Sequence, residues 1–196
     1  MRAQLFAQAQ LLSCGLAKSR CIKTVDEVVE VVMMGSSSME PCSCSLRPPV
    51  FPDDVATIAQ LDGDCFTRRE ERFVSGDVLE AFVRAAATDD RQQLWARIAV
   101  DAVGPCGFAF ADPSHSRLTK LCVAPRARRR GVGRALVEAA VAALRDRKAL
   151  SVSLFVRCDN AGARALYERC GFVGDAVVAD HYGPGCDGAR MLRDCF

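Results

Sequence analysis

The alternation of hydrophobic and polar residues predicts a domain of short strands and amphipathic helices between residues 44 and 196. Apolar positions three or four residues apart predict helices after Asp53, over 75–87, over 131–147 and from Asn160 to Gly171. Asp53 is a candidate N-cap, and Gly171 suits a helix end. Apolar runs predict the strands, which fall at 45–47, 94–100, 106–110, 118–123, 150–156, 173–179 and 189–192. The run at 150–156 is nearly continuous, the kind expected for a strand in the middle of a sheet.

Residues 1–43 differ from the rest and are predicted to be an N-terminal extension to a domain at 44–196. The serine-rich segment 35–41 is typical of a flexible linker. Residues 1–25 contain four basic residues and no acidic one, which is compatible with an organellar transit segment as well as with a plain flexible extension. We expect a cytoplasmic protein, or a plastid or mitochondrial one if the extension directs import.

Composition narrows the function classes only a little. The net charge of +2 gives no reason to expect bulk nucleic-acid binding, and no apolar run is long enough to span a bilayer. The eleven cysteines lack the spacing of a secreted disulfide framework, and with only two histidines we expect no metal.

A basic turn with two glycines lies between a predicted strand and a predicted helix. Arginines cluster around Gly131 and Gly133, and Pro125 ends the preceding strand. Helix N-termini attract anions, and glycines let a diphosphate approach the main chain. Residue 136 is Leu and no P-loop lysine follows, so neither common nucleotide fingerprint is met. Taken alone, the segment also fits a tight turn with solvated arginines.

A second motif follows, and together the two resemble the GCN5-related N-acetyltransferase (GNAT) superfamily. The first is Arg128-Arg-Arg-Gly131-Val-Gly133 after Leu121, Val123 and Pro125. The second is met by Asn160, Ala163, Leu166, Tyr167, Glu168, Gly171 and Phe172. The resemblance implies an α/β (α+β) fold, with a mixed, mostly antiparallel sheet splayed between strands four and five and helices on both faces.

The resemblance also implies an acetyl-CoA-dependent enzyme that needs no metal. Tyr167 would protonate the departing thiolate. The residues implied to contact acetyl-CoA are Leu121, Cys122, Val123, Arg128, Arg129, Arg130, Gly131, Val132, Gly133, Arg134 and Asn160. Tyr167 could instead serve only to pack in the core, and Asn160 could serve as a simple helix cap.

The segments 62–66 and 180–191 resemble the subgroup that acetylates protein N-termini, including ribosomal-protein alanine acetyltransferases. This makes Phe66 and Tyr182 candidates for the substrate wall, although each could equally be a packing aromatic. The match is partial, because His181 stands where the subgroup has tyrosine and Gly188 is an additional residue.

The subgroup's general base, a glutamate on strand five, is replaced by Phe155. His181, Asp159 or a held water could serve instead. A missing base costs about 3 kcal/mol less for an α-amine, with a pKa near 7.7–8.0, than for a lysine amine near 10.4. We therefore expect acetylation of protein α-amines without direct nucleic-acid or membrane binding, and the sequence leaves open whether an auxiliary subunit takes part. A lysine or small amine is the alternative acceptor, and a non-catalytic acyl-CoA-binding module is the alternative class.

Overall fold

The computed structural model describes residues 44–66, 76–87 and 94–196, so the predicted extension 1–43 lies outside the described residues. This part of the chain contains four α-helices: α1 Asp54–Cys65, α2 Gly76–Ala87, α3 Val132–Asp146 and α4 Ala161–Arg169. It contains seven strands: β1 Ser45–Arg47, β2 Trp95–Asp101, β3 Gly104–Asp112, β4 Arg117–Val123, β5 Ser151–Arg157, β6 Val173–Val178 and β7 Gly188–Asp194. Every predicted element is present within a few residues of its predicted bounds.

All seven of these strands form one sheet in the order β1-β2-β3-β4-β5-β7-β6. Neighbouring strands run antiparallel except β4 and β5, which are parallel. Only Arg117 with Ser153 and Leu118 with Leu154 pair between these two strands. Beyond Leu118 the strands separate, which confirms the mixed sheet splayed between strands four and five.

Helices cover the two faces of the sheet unequally. One face packs against α3 and α4 along the whole width from β2 to β7, around Leu136, Leu144 and Phe172. The other face packs against α1 and α2 around Ile58 and Phe110, and its buried cluster takes strand residues only from β2, β3 and β4. The predicted helices on both faces are confirmed, and the α1 face of β5, β7 and β6 contributes nothing to that cluster.

Strand β5 is buried on one face only. Val152, Leu154 and Val156 lie in the core, whereas the alternate residues are half-buried. The predicted position in the middle of the sheet is confirmed, since β5 lies between β4 and β7, but α1 and α2 extend no further than β4. This leaves Phe155 on a face that is open to a ligand.

The start of α1 differs from the prediction in one respect. Asp53 occupies the N-cap position, but it has helical dihedral angles and its side chain makes no capping hydrogen bond. The neighbouring Asp54 instead accepts hydrogen bonds from the Val50 N–H at 2.6 Å and from Arg47 at 2.6 and 2.8 Å. Burial alone would raise the Asp54 pKa, but these bonds outweigh it and the pKa lies below its usual range. This carboxylate links β1 to the first helix.

Candidate active site

The site begins at the gap between β4 and β5. One edge of β4 pairs with β3. This pairing contains a β-bulge at Thr119, because Phe110 pairs with Lys120 while Ala111 pairs with Leu118. The other edge pairs with β5 only at its first two residues. Beyond Leu118 that edge makes no ladder contact with β5, which leaves room for an extended ligand beside it.

The turn that follows β4 leads directly into the N-terminus of α3. A 3-10 turn at Pro125–Ala127 is followed by positive φ angles at Arg129 (62°) and Gly131 (82°). Gly131 is the N-cap residue, and no side chain caps this end of the helix. The first amides of α3 and the positive end of its dipole can thus hold an anion. This donor set fits the diphosphate that the sequence predicts.

The arginines around this turn have different partners. Arg126 ion-pairs with Asp101 at 2.7 Å and donates to the Gly104 and Pro105 carbonyls, so it anchors the turn to the β2–β3 hairpin. Arg130 approaches Asp101 at 3.9 Å. By contrast, the predicted diphosphate ligands Arg129 and Arg134 are exposed. They can reach a ligand without breaking an ion pair that the structure describes.

Gly133 lies where α3 meets α4. A Cβ atom at this position would come within 3.0 Å of a methyl group of Leu166 and 3.6 Å of Val123. The glycine therefore permits close packing of α4 against the α3 N-terminus, in addition to the predicted room for phosphate. Its neighbour Val132 is buried, so only its backbone can contact a ligand.

The end of β4 carries two thiols that meet α1. Cys65 donates to the Val123 carbonyl at 3.4 Å, and buried Cys122 donates to the Leu61 carbonyl at 3.3 Å. Hydrogen bonding from Cys122, and then from Arg128, lowers the Cys65 pKa to about 7 despite partial burial. Arg128 also donates to the Val123 carbonyl, at 3.1 Å. Two donors already occupy that acceptor, so a cofactor arm has to use other backbone groups at 121–123.

On the far side of the gap, Asn160 and Tyr167 lie on α4. Asn160 caps the helix by accepting from the Ala163 N–H at 3.1 Å, while its amide group remains exposed. Tyr167 is 7% exposed and packs edge-on against Phe172 at 5.9 Å. Burial, and then the nearby Tyr182 and Cys170, raise the Tyr167 pKa well above its usual value. The phenol stays protonated at neutral pH, as a proton donor must.

An aromatic stack replaces the carboxylate that the resemblance leads one to expect on β5. The His181 imidazole stacks on Phe155 with ring centroids 4.2 Å apart and 15° between planes. Tyr182 packs edge-on against the same imidazole at 4.8 Å, and Arg117 lies over the Phe155 ring at 5.3 Å. Burial, and then the Arg117 charge, lower the His181 pKa below its usual value. The imidazole is thus neutral and able to accept a proton at pH 7.

The β6–β7 loop fixes His181 in this position. Asp180 accepts from the Gly185 N–H at 2.6 Å, and its own N–H donates to Asp187 at 3.0 Å. At Gly188 a Cβ atom would lie 2.8–2.9 Å from three His181 side-chain atoms. The additional glycine noted in the sequence therefore makes room for the imidazole. Asp159, the other candidate base, is ion-paired to Arg157.

Phe66 lies at the opposite side of the site from Tyr182. It follows α1, and the Lys120 ammonium on β4 lies 4.5 Å from its ring centroid. That ammonium also forms a buried ion pair with Asp62 at 2.5 Å. Of the two predicted substrate-wall residues, Phe66 thus contacts Lys120 on β4, and Tyr182 contacts His181 beside β5. The Asp62–Lys120 pair is not predictable from the sequence, because nothing in the local pattern shows that α1 faces β4.

The described residues contain no group of three or more His, Cys, Asp or Glu side chains arranged to hold a metal ion. In the same part of the chain, no helix has the length and hydropathy needed to cross a membrane.

Comparison with known proteins places this arrangement in a family. The model of the acetyltransferase (GNAT) family matches residues 55–172, more than half of the chain. The chain is 44% identical over 70 residues to the mycothiol acetyltransferase of Beutenbergia cavernae, covering 36% of this chain and 24% of that protein. It is 41% identical over 71 residues to the ribosomal protein bS18-alanine N-acetyltransferase of Escherichia coli K12, covering 36% and 47% respectively. The matched segments span less than half of these relatives.

Solved structures extend the likeness to most of the described fold. A GNAT-family acetyltransferase structure from Desulfovibrio desulfuricans aligns with a TM-score of 0.66 at 23% identity, covering 78% of this chain and 99% of that one. The Ard1 structure from Thermoplasma volcanium aligns with a TM-score of 0.65 at 24% identity, covering 78% and 97%. At these identities the likeness concerns the fold alone. With the family match and the splayed sheet, it shows that this chain belongs to the GNAT acetyltransferase family.

Proposed function

We propose that this protein is an N-acetyltransferase that moves the acetyl group of acetyl-CoA to the α-amine of protein N-termini. The observation that carries the proposal is the stack of neutral His181 on Phe155, on the open face of β5. It offers a weak base, and Tyr182, which packs against that imidazole, lies near enough to Tyr167 to contribute to the raised pKa of the buried phenol. The bS18-alanine N-acetyltransferase similarity supports the same acceptor class.

In the proposed reaction, the acceptor amine loses a proton to His181 and attacks the thioester carbonyl. The carbon–sulfur bond breaks, and Tyr167 donates a hydrogen bond or proton to the departing thiolate. Exposed Arg129, exposed Arg134 and the first amides of α3 hold the donor's diphosphate. Direct attack needs no acyl-enzyme, so none of the cysteines is required as a nucleophile.

The lower basicity of an α-amine favours it as the acceptor. Proton transfer to a given base costs about 3.5 kcal/mol less from an α-ammonium with a pKa near 7.8 than from a lysine ammonium near 10.4, and the lowered His181 pKa makes both transfers more costly. A lysine or small-amine acceptor is the alternative, in line with structural neighbours such as the spermidine/spermine N-acetyltransferase of Vibrio cholerae.

The test measures release of CoA thiol from acetyl-CoA with two peptide pools. One pool has free N-termini and no lysine, and the other has blocked N-termini and internal lysines. We expect turnover with the first pool, with kcat/KM falling as pH drops through the lowered His181 pKa. Turnover confined to the second pool would refute the α-amine assignment. Donor binding without turnover on any amine would indicate a non-catalytic binding module.

A further inference from the structure

A cleft of about 390 Å³ lies on the open face of the sheet, where β4 and β5 begin and β7 passes. Its lining is polar and basic, with a hydrophobic edge, and consists of His115, Ser116, Arg117, Leu150, Ser151, Ser153, Arg190 and Leu192. The residues assigned above to the reaction and to the acetyl donor are absent from this lining. The cleft is therefore a separate part of the same face.

The charged groups around the cleft are only partly compensated. Arg190 is ion-paired with Asp175, and the His115 Nδ1 atom lies at hydrogen-bond distance, 2.6 Å, from a carboxylate oxygen of Asp112. Arg117 differs, because its Nε atom is buried and has no hydrogen-bond partner among the described residues. A buried cationic group that lacks an acceptor is costly, and the negative charge of a carboxylate bound against the accessible part of this guanidinium would offset that cost. The cleft therefore favours an anionic ligand and disfavours a polyamine.

Arg117 also connects the cleft with the proposed base. Its guanidinium lies 5.3 Å from the centre of the Phe155 ring, and His181 stacks on that ring at 4.2 Å. Along β5, Phe155 and the cleft residue Ser153 lie two positions apart on one face, a distance of about 6.6 Å. The third residue of an extended peptide lies equally far from the first and on the same side. A peptide whose amine reaches His181 can thus place its third side chain over the cleft.

We infer that this cleft binds an acidic side chain at the third position of the acceptor, so that the enzyme selects N-termini with Asp or Glu there. The inference rests on the proposed function. The two serine hydroxyls at 151 and 153 supply further donors for a carboxylate. The site sets specificity and takes no part in the chemical step.

The experiment compares three peptides that differ only at position three, which is Asp, Asn or Lys. We expect kcat/KM for the Asp peptide to exceed that for the Asn peptide roughly tenfold, the size of one charge-assisted hydrogen bond, and the Lys peptide to be the poorest. In Arg117→Gln the Asp-to-Asn ratio should fall to about one. Because a ratio is measured within each variant, a general loss of activity or folding leaves it unchanged.

Arg145→Gln is the matched control, since Arg145 is exposed on α3, which packs on the other face of the sheet. Its Asp-to-Asn ratio should equal that of the wild type. Equal turnover of the Asp and Asn peptides by the wild type, or a preference that survives in Arg117→Gln, would overturn the inference. If no peptide is acetylated at all, the proposed function fails instead. The inference is then tested by measuring the binding of labelled Asp and Asn peptides by fluorescence anisotropy. Tighter binding of the Asp peptide that is lost in Arg117→Gln would support the cleft as its binding site, and equal binding of the two peptides would refute it.

Discussion

Replacing Gly188 by alanine tests whether the position of His181 controls catalysis. An added Cβ atom would lie 2.8–2.9 Å from three atoms of that side chain. Carbon atoms pack at about 3.5–4.0 Å, so the imidazole has to move by about 0.6–1.2 Å. The φ angle of Gly188 is not in the left-handed region, so alanine adds steric pressure without backbone strain. The substitution therefore acts mainly on the contact between His181 and Phe155.

The expected loss follows from that displacement. A misplacement of about 1 Å at a reacting group can cost up to about 10² in rate. We expect kcat for a peptide α-amine to fall about 10- to 100-fold, with a loss of unfolding free energy of about 1–3 kcal/mol from overpacking. CoA-thiol release measures the first quantity, and urea unfolding measures the second. Gly174→Ala is the control, because a Cβ atom there has no neighbour within 4 Å.

A double-mutant cycle shows whether the effect passes through the imidazole. If His181 is the base, His181→Ala alone should lower kcat about 10²- to 10⁴-fold. Adding Gly188→Ala to that variant should change the remaining activity less than twofold, since the displaced group is already gone. A Gly188→Ala enzyme with wild-type kcat, or an equal further loss without the imidazole, would refute this reasoning.

Three further predictions concern other parts of the molecule. Tyr167→Phe keeps the packing against the core, so it should bind acetyl-CoA normally in calorimetry while kcat falls about tenfold or more; unchanged kcat would remove the phenol from the reaction. Iodoacetamide should alkylate Cys65 with a rate that rises through a pH of about 7, and Cys122→Ala should shift that midpoint upward; an unshifted midpoint would contradict the thiol contact. The lowered Asp54 pKa means that its contribution to stability is complete above the unfolded-state value near 3.9 and disappears as pH falls through the folded-state value. Asp54→Asn should therefore flatten the acid limb of stability measured by urea unfolding, and an unchanged acid limb would show that this carboxylate is not linked to folding.

The sequence predicts most of the fold, because long periodic segments and the two motifs fix the elements and their order. The failures have local physical causes. The pattern predicts Asp53 as the N-cap, and Asp53 occupies that position, but its side chain makes no capping hydrogen bond. The carboxylate contacts with Arg47 and the Val50 amide are made by Asp54, and periodicity does not reveal them. Similarly, the apolar run of β5 does not reveal that α1 and α2 stop at β4 and leave Phe155 uncovered.

The candidate site is predictable to a different extent on its two sides. Donor-side residues such as Gly131 and Asn160 belong to contiguous motifs, and the structure places them at the ends of the helices where they were expected. On the acceptor side, Phe155, His181 and Arg117 come from three distant segments and meet only through the sheet. The one feature of the sequence that indicates this cluster is the additional Gly188. Its role becomes clear only when the His181 ring is seen packed against it.

Among the residues that the structure describes, the two pairs that join β4 to β5 are the only ladder contacts between the two parts of the sheet. A donor bound along the open edge of β4 would supply contacts across this seam that the polypeptide leaves unmade. Ligand binding of this kind adds to folding free energy by mass action, about 2.7 kcal/mol at a concentration 100 times Kd. The free energy of unfolding of this protein would then depend on the concentration of its own acetyl donor.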